Sequence, residues 1–436
     1  MTAVLGRGSR QIWAWAFYDF ANSPFTTLVV TFVYSTYFTQ AIASDPIRGT
    51  ALWSRAVTVT ALIVAFCSPF LGALADRGGY RKLFVFISTL ICVGGSAALY
   101  RVLPGQTLLA LSLFVTANVA YEFGTVFYNA YLPDIAASGR IGRVSGFGWG
   151  FGYIGGLLAL VVALVTLIQP QTPWFGFAKA AGENIRATNL VVAVWLALFS
   201  IPLFVWVKDA KRPRIGVRSA VEQASGQLRH TFSEVRKYRQ IVRFLVARLI
   251  YNDALVTIFA FGGIYAAETF GFSVAQVLVF GIVINLAAGI GAIAMGFLDD
   301  KLGSKHTIMA SLGGLIIATL LAVFSTHRAL FWVAGIIIGI FAGPNQASSR
   351  SLMGRLVPHD MENEFFGFFA FSGKLTAFIG PFLLGLLTEL SGSQRVGVSV
   401  VLVLFVIGAV LLARVDEKAG VAAHHSASKL AAKGAT

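Results

Sequence analysis

The chain has 436 residues, of which 57% are hydrophobic and only 12% are charged. Soluble globular proteins carry about 25% charged residues, so this composition excludes a soluble domain and indicates a protein that crosses the membrane many times. The net charge of +15 would suit nucleic-acid binding, but most Lys and Arg residues fall on one side of the predicted topology, the positive-inside pattern. We therefore expect a lipid bilayer as a partner, and no nucleic acid.

The two cysteines, Cys67 and Cys92, both lie in apolar segments, where a cysteine usually acts as a small buried hydrophobe. We expect no disulfide, no metal site and no cofactor. The first apolar segment lacks the pattern of a cleaved signal peptide, so we expect it to be retained as a helix.

Twelve segments are each close to the roughly 20 apolar residues that span a bilayer. The sequence predicts an all-α membrane protein with helices over 13–39, 56–75, 83–103, 107–130, 145–168, 189–207, 241–267, 274–298, 307–325, 330–349, 364–389 and 396–413, called spans one to twelve below.

The long basic segment 208–240 divides these spans into an N-terminal half, 1–207, and a C-terminal half, 241–413, which is followed by a tail, 414–436. Leu228, Phe232 and Val235 are spaced along one helical face, so we predict an amphipathic helix on the membrane surface at the end of this linker. A solvated linker with a membrane-facing helix is the simpler interpretation, and a partner-binding segment is the alternative.

Span one carries Asp19 and Asn22 on one face, with Ser23 and Thr26 continuing the stripe. A charge inside a membrane helix costs about 2.5–3.5 kcal/mol at the centre and usually faces a protein interior or a watery cavity. We expect this stripe to face a cavity or an inner gate. The alternative is a helix-packing contact satisfied by neighbouring backbone.

Span four carries a second polar stripe that includes Asn118, Tyr121 and Glu122. A buried carboxylate without a partner is protonated more readily than one in water, so Glu122 is a candidate proton acceptor. It could equally be a permanent partner of Arg248 or Lys374.

Span seven carries Arg248, Asn252 and Asp253. Arg248 and Asn252 share a face at i and i+4, whereas Asp253 is rotated by about 140° from Arg248 on a regular helix. We expect each charge to face another helix or the cavity. A structural ion pair between helices is the alternative.

Lys374 lies near the middle of span eleven, and span ten carries Asn345 and Gln346 beside Pro344, where we expect a helix distortion that frees backbone carbonyls. Mixed charges and amides favour a small zwitterion or an organic anion as the solute. All histidines fall outside the predicted spans, so carboxylates would have to carry a coupling proton.

The two halves repeat a short signature. The segment from Gly72 to Lys82 follows span two, and the segment from Gly296 to His306 follows span eight, with Gly, Asp, Gly and a base at the same spacing. Six spans separate the copies, so the repeats have the same membrane orientation. Two parallel six-helix repeats are the layout of major facilitator transporters.

At these signatures the chain resembles the major facilitator superfamily. Further motifs narrow the resemblance to the "unknown major facilitator" family, whose relatives include yeast vacuolar amino-acid effluxers. These motifs are Trp15-Ala-Phe-Tyr18-Asp19-Phe-Ala-Asn22-Ser23, Tyr128-Asn129-Ala-Tyr-Leu-Pro133, Arg143-Val-Ser-Gly146, Asn345-Gln346-Ala-Ser-Ser-Arg350-Ser351 and Glu364-Phe-Phe-Gly367 with Ser372-Gly373-Lys374. The resemblance implies the major facilitator fold and secondary transport. It also implies a gating role on the inner side for Asp76, Arg77, Arg81 and Asp300.

Together these features predict a secondary transporter of a small polar solute, with an amino acid or related zwitterion first, that works by alternating access and is coupled to H+. We expect a monomer in a bacterial cell membrane with both termini in the cytoplasm. An exporter of organic anions or lipid-like molecules, a transport-inactive sensor and a membrane enzyme are the alternatives. We do not expect an enzyme, because the sequence shows neither an activated nucleophile nor a metal cluster.

Overall fold

A computed structural model of the chain describes residues 9–209, 215–234 and 236–422, and within these ranges the secondary structure is helical, with no strand. The main helices are α1 (Ser9–Pro24), α2 (Pro46–Gly78), α3 (Arg81–Leu99), α4 (Thr107–Asn129), α5 (Ile141–Ala163), α6 (Thr188–Trp206), the linker helix (Val217–Ser233), α7 (Arg239–Phe270), α8 (Val274–Leu302), α9 (Ser304–Phe324), α10 (Arg328–Leu356), α11a (Glu362–Lys374), α11b (Ile379–Ser391) and α12 (Gln394–Ala413). Each predicted span corresponds to one of these helices or helix pairs.

Eleven helical segments among the described residues are long and apolar enough to cross a membrane. The predicted span one is not among them, because it is not one continuous α-helix. It begins as α1 and continues through the π-helical segments Phe25–Phe32 and Phe38–Ile42, with a short α-helix between them. Pro24, the last residue of α1, has no N–H to donate to the i−4 carbonyl, so the regular ladder is interrupted where the first π segment begins.

Span eleven is broken in its middle. α11a ends at Lys374 and α11b begins at Ile379, and residues 375–378 between them are not helical. Pro381 lies in the first turn of α11b, where a missing N–H costs little. By contrast, α10 runs unbroken through Pro344, where the sequence predicts a helix distortion.

The described residues form two compact units. The first comprises those within Met1–Val64, Tyr80–Tyr128 and Phe151–Arg212, and the second those within Ala65–Gly79, Asn129–Gly150 and Pro213–Thr436. The boundary therefore crosses α2, α4 and α5. The predicted division at the 208–240 linker stays a prediction.

In the first unit, the opening motif of span one packs on α4. The Trp15 indole N–H donates to the Tyr128 carbonyl at 3.0 Å, and the rings of both Trp15 and Tyr18 stack on the Tyr128 ring. The Tyr18 hydroxyl also hydrogen-bonds the Thr89 hydroxyl of α3 at 2.8 Å. The aromatic residues of this motif therefore fasten α1 to α3 and α4.

In the second unit, α10 packs closely on α8 through a row of glycines. A Cβ at Gly339 or Gly343 would overlap the carbonyl oxygen of Ile284 or Ala288, and a Cβ at Gly335 would overlap the ring of Phe280. Small residues every fourth position allow two membrane helices to approach at backbone distance. α8 and α10 are therefore packed too tightly here to admit a larger side chain.

The linker contains the helix Val217–Ser233, and the predicted placement of its end on the membrane surface stays a prediction. The helix buries Ala220, Ala224 and Gln227 and leaves Phe232 63% exposed. Val235, the third residue of the predicted apolar face, lies outside the described residues.

Candidate functional site

The candidate site lies in the second unit, where the charged face of α7 meets the break in α11. Buried charges need hydrogen-bonding partners in a membrane protein. The break provides them, because the last carbonyls of α11a and the first N–H groups of α11b have no partner within their own helices.

Arg248 is 7% exposed and contacts the end of α11a. One of its terminal nitrogens donates to the Phe369 carbonyl at 2.7 Å and to the Ser372 hydroxyl at 2.9 Å, and the guanidinium lies 3.6 Å from the centre of the Phe369 ring. Its Nε has no hydrogen-bond partner. Among the described residues, no carboxylate forms an ion pair with Arg248, so its charge is met only by dipoles and a π face.

Asp253 is 2% exposed and contacts the start of α11b. Its Oδ2 accepts the Gly380 N–H at 2.8 Å, while its Oδ1 has no partner. Gly380 is the second residue of α11b, so the carboxylate lies at the positive end of that helix dipole. In the described part of the chain no basic side chain forms an ion pair with Asp253.

Amides and hydroxyls link α7 to α10 and α11 around these charges. Asn252 donates to the Gly373 carbonyl at 3.0 Å and accepts from Gln346 at 3.5 Å. Tyr251 hydrogen-bonds Ser349 of α10 at 2.8 Å. Thr376, in the break itself, donates to the Leu249 carbonyl at 3.0 Å.

Two further predicted site residues, Lys374 and Asn345, also belong to the second unit. Lys374 is the last residue of α11a, at the break. Asn345 is buried and donates to the Ser311 hydroxyl of α9 at 3.0 Å. Asn345 therefore contacts α9, and of these two neighbours only Gln346 contacts the α7 cluster through its side chain.

The other predicted residues, Asp19, Asn22, Asn118, Tyr121 and Glu122, belong to the first unit. The Tyr121 ring stacks on Phe25 with 5.2 Å between ring centres, and Asp19 and Glu122 both lie close enough to interact electrostatically with the Tyr121 hydroxyl. Asn22 and Asn118 are buried. The stripes of spans one and four therefore face each other within this unit.

The first signature aspartate, Asp76, caps the helix that carries Lys374. Its carboxylate accepts the backbone N–H groups of Asn363 and Glu364 at 3.2 and 2.9 Å, and the Asn363 side-chain amide at 2.7 Å. These N–H groups belong to the first turn of α11a, which has no internal acceptor for them. A Cβ at Gly72 would overlap the Asn363 carbonyl, so the signature glycine permits this approach.

The second signature aspartate, Asp300, makes the equivalent contact with α5. Its carboxylate accepts the N–H groups of Gly142 and Arg143 at 2.8 and 3.3 Å, and it forms an ion pair with the Arg143 side chain. Gly296 lies against the Arg143 Cα. The repeat is therefore reciprocal: each signature aspartate caps a helix that belongs to the opposite six-helix repeat.

The two predicted gating arginines, Arg77 and Arg81, lie in different units. Arg77 donates to Gln227 of the linker helix, and Gln227 in turn donates to Glu364. Arg81 is buried at the start of α3 in the first unit. The linker helix is thus bonded to the residues beside the Asp76 cap.

Sequence reasoning gave no role to Arg350, which is 3% exposed. It donates to the Ser145 hydroxyl and carbonyl at 2.9 and 2.7 Å and to the Asn129 side chain at 3.1 Å. The signal available in the sequence was that Arg350 belongs to one of the motifs that carry the family resemblance. The contacts show that it ties α10 to the end of α4 and the start of α5.

Comparison with solved structures identifies the fold. The chain superposes on the proton:xylose symporter XylE with a TM-score of 0.73 and 12% identity, over 92% of this chain and 94% of that one. It superposes on the transporter FucP in its outward conformation with a TM-score of 0.70 and 12% identity, over 95% and 99% of the two chains. The protein has the fold of the major facilitator superfamily and is a multi-pass membrane protein.

Sequence comparison identifies the family. Residues 46–425 match the family model described as "Vacuole effluxer Atg22 like", and the chain belongs to that family. It is 29% identical to the uncharacterized MFS-type transporter YxiO of Bacillus subtilis, over 95% of this chain and 97% of that protein. It is 22% identical to autophagy-related protein 22 of Yarrowia lipolytica, over 85% and 76%. The family model and the Bacillus subtilis relative are thus described as an effluxer and a transporter.

Proposed function

We propose that the protein is a secondary active transporter of a small carboxylate-bearing solute, with amino acids and related zwitterions first, and that it works by alternating access coupled to H+. The observation that carries this proposal is the pairing of two buried, oppositely charged residues of α7 with the two ends of the broken α11. Transporters commonly build their solute and ion sites at such discontinuous helices.

Arg248 supports the carboxylate part of the proposal. A buried guanidinium whose contacts are a carbonyl, a hydroxyl and a ring retains donors that suit a carboxylate in bidentate geometry. Gln346 and Asn252 lie beside it and add amide groups for the polar remainder of a solute. A hydrophobic solute would gain nothing from these groups.

Asp253 supports the proton part. A carboxylate with one free oxygen and no basic partner among the described residues is unstable as an anion in an apolar interior. Taking up a proton removes that penalty, and so does binding the ammonium group of a zwitterion. Asp253 is therefore the proposed proton carrier. Glu122 and Asp19 are proposed as supporting acids of the first unit.

The reciprocal caps support alternating access. Asp76 and Asp300 bond to backbone N–H groups at helix N-termini and also to the side chains of Asn363 and Arg143. We take these contacts to break and re-form during the cycle. We place them on the cytoplasmic side, with both termini there, and we take the working unit to be a monomer in a cell membrane.

The test is uptake of labelled amino acids into proteoliposomes, with and without an imposed pH gradient. The wild type is compared with Asp253→Asn and Arg248→Met. We expect Asp253→Asn to abolish the response to the gradient. Because a hydrogen bond to a charged group contributes about 1.5–3 kcal/mol, we expect Arg248→Met to raise the KM for a carboxylate solute by about tenfold to a hundredfold.

Glu222→Gln is the matched control, because Glu222 is an exposed acid on the linker helix whose partner is Arg218. It should leave both rate and KM unchanged. Gradient-driven flux that persists in Asp253→Asn would remove Asp253 from the coupling mechanism. If no amino acid is transported but organic anions without an amino group are, the substrate class is anionic rather than zwitterionic.

A further inference from the structure

A cavity of about 920 Å³ lies in the second unit between the α8–α9 turn, the end of α10 and the first part of the tail. This is near the upper end of the range of about 300–1,000 Å³ that is typical of small-molecule sites. It is separate from the α7–α11 cluster, because none of the residues of that cluster lines it.

The tail forms a fixed wall of this cavity. Val415 is buried, the Asp416 N–H donates to Gln240 at 2.9 Å, and Gly420 lies against Leu356 of α10. A cavity wall held by several such contacts is preformed, so a ligand would not need to order it on binding.

The acidic residues that line the cavity are occupied by backbone N–H groups. Glu417 accepts from Ser304 and Lys305 at 3.2 and 2.8 Å, which caps the first turn of α9. Asp416 accepts from Ala419 at 2.9 Å within the tail. Glu362 accepts from Asp360 at 3.1 Å. Glu417 also lies 3.9 Å from the Arg355 Nε, so the acidic residues of the lining are directed to backbone N–H groups and to Arg355.

The basic residues of the lining differ in their partners. Arg355 forms ion pairs with Asp299, Asp300 and Glu417. Lys301, Arg414 and Lys418 also line the cavity, and across the described ranges none of their side chains forms an ion pair. The Lys305 ammonium group donates to the Ala413 carbonyl at 2.9 Å and to no carboxylate of the described chain. A concave site with unpaired cations concentrates anions from solution.

We propose that this cavity is a binding site for a phosphate-bearing anion, held by Lys301, Lys305, Arg414 and Lys418. Phosphate suits this group because ammonium and guanidinium donors from several directions can each meet a separate phosphate oxygen. The source is either a free phosphorylated solute or a phospholipid headgroup, since both present the same chemistry to these bases.

The test uses the full-length protein purified in an uncharged detergent and titrated with inorganic pyrophosphate at constant ionic strength. Binding is measured by calorimetry and by the rise in Tm. The cavity variant is the double substitution Lys301→Gln with Lys418→Gln. We expect its Kd to be about 100-fold higher, because each of the two charge-assisted hydrogen bonds that it removes contributes about tenfold to the affinity.

The control is Arg218→Gln with Lys237→Gln, which removes two exposed bases of the linker region outside the cavity. Its Kd should match the wild type. Val421→Trp is the second variant, because it fills the cavity without changing any charge and should weaken binding in the same way. If the double Gln variant does not fold, Val421→Trp alone tests whether pyrophosphate binds in this cavity.

The two sources are separated by native mass spectrometry of protein taken from nanodiscs with and without anionic phospholipid. Pyrophosphate binding in lipid-free detergent indicates a free solute. Retention of an anionic phospholipid that depends on Lys301 and Lys418, without pyrophosphate binding, indicates a headgroup. Equal binding by wild type, cavity variant and control, or no binding of either probe, overturns the proposal. Flux is not part of the readout, so the proposal stands or fails independently of transport.

Discussion

The contact between Asp76 and the start of α11a is the interaction whose removal has the most direct effect on the proposed cycle. Asp76→Asn keeps one carbonyl oxygen but replaces the other carboxylate oxygen with an amide that cannot accept the Glu364 N–H. The removal of a charge-assisted bond and a buried N–H left without an acceptor together cost about 3 kcal/mol. This corresponds to a shift of about 100-fold in the ratio of closed to open contact.

The assay is the labelling rate of a single cysteine placed under this contact. Ser68 is fully buried on α2, and a Cβ at Gly367 of α11a would overlap its carbonyl oxygen. In a background with Cys67→Ser and Cys92→Ala, Ser68→Cys reports the separation of α2 from α11a. A small membrane-permeant thiol reagent should label it about 100-fold faster when Asp76→Asn is added.

The control is Asp45→Asn. Asp45 caps the start of its own helix, α2, by accepting the Ile47 and Arg48 N–H groups at 3.0 Å each, and it is exposed. This substitution removes the same carboxylate charge at a helix start without touching α11a, and the Asn carbonyl can keep both bonds, so the labelling rate should change by less than about twofold. An unchanged rate in Asp76→Asn, or an equal acceleration in Asp45→Asn, would refute the reasoning.

Two further predictions concern the second signature cap and the packing of α10 on α8. Asp300→Asn should destabilise the α5 cap by about as much free energy as Asp76→Asn destabilises the α11a cap. Combining the two substitutions should increase the labelling rate beyond that of either single variant. A double variant that is labelled no faster than the single variants would contradict reciprocal caps. Gly343→Val should lower the Tm of the purified protein, since overpacking costs about 1–3 kcal/mol and a Cβ there meets the Ala288 carbonyl. Gly313→Val, where a Cβ meets nothing within 4 Å, is the control that should leave Tm unchanged.

The helices were predictable from the sequence because each membrane span is a long apolar run between polar segments, and hydrophobic length alone identifies it. The rotation between Arg248 and Asp253 was also informative. Helical geometry indicated that the two charges face different partners. In the structure Arg248 bonds to α11a and Asp253 bonds to α11b.

The break in α11 was not predictable in the same way. Residues 375–378 contain neither Gly nor Pro, and the only local signals are Gly373, Gly380 and Pro381, which flank the break. The interruption is stabilised by groups on another helix, such as the Leu249 carbonyl that accepts from Thr376. Tertiary partners of this kind leave no periodic pattern in a single sequence.

Adjacent residues of one helix need not share a partner. Asn345 and Gln346 are neighbours in sequence, yet consecutive helical positions point about 100° apart. The structure assigns Asn345 to Ser311 of α9 and Gln346 to Asn252 of α7.

The form of the two signature caps has a consequence for how such a protein can diverge. Asp76 and Asp300 recognise main-chain N–H groups, which almost every amino acid carries. This main-chain part of each cap would survive a change of side chain at Asn363, Glu364 or Arg143, whereas the bonds from the Asn363 amide and the Arg143 guanidinium would be lost. Proline, which lacks the N–H, is barred at every receiving position. At Gly142 even a Cβ is excluded, because it would overlap the Asp299 carboxylate.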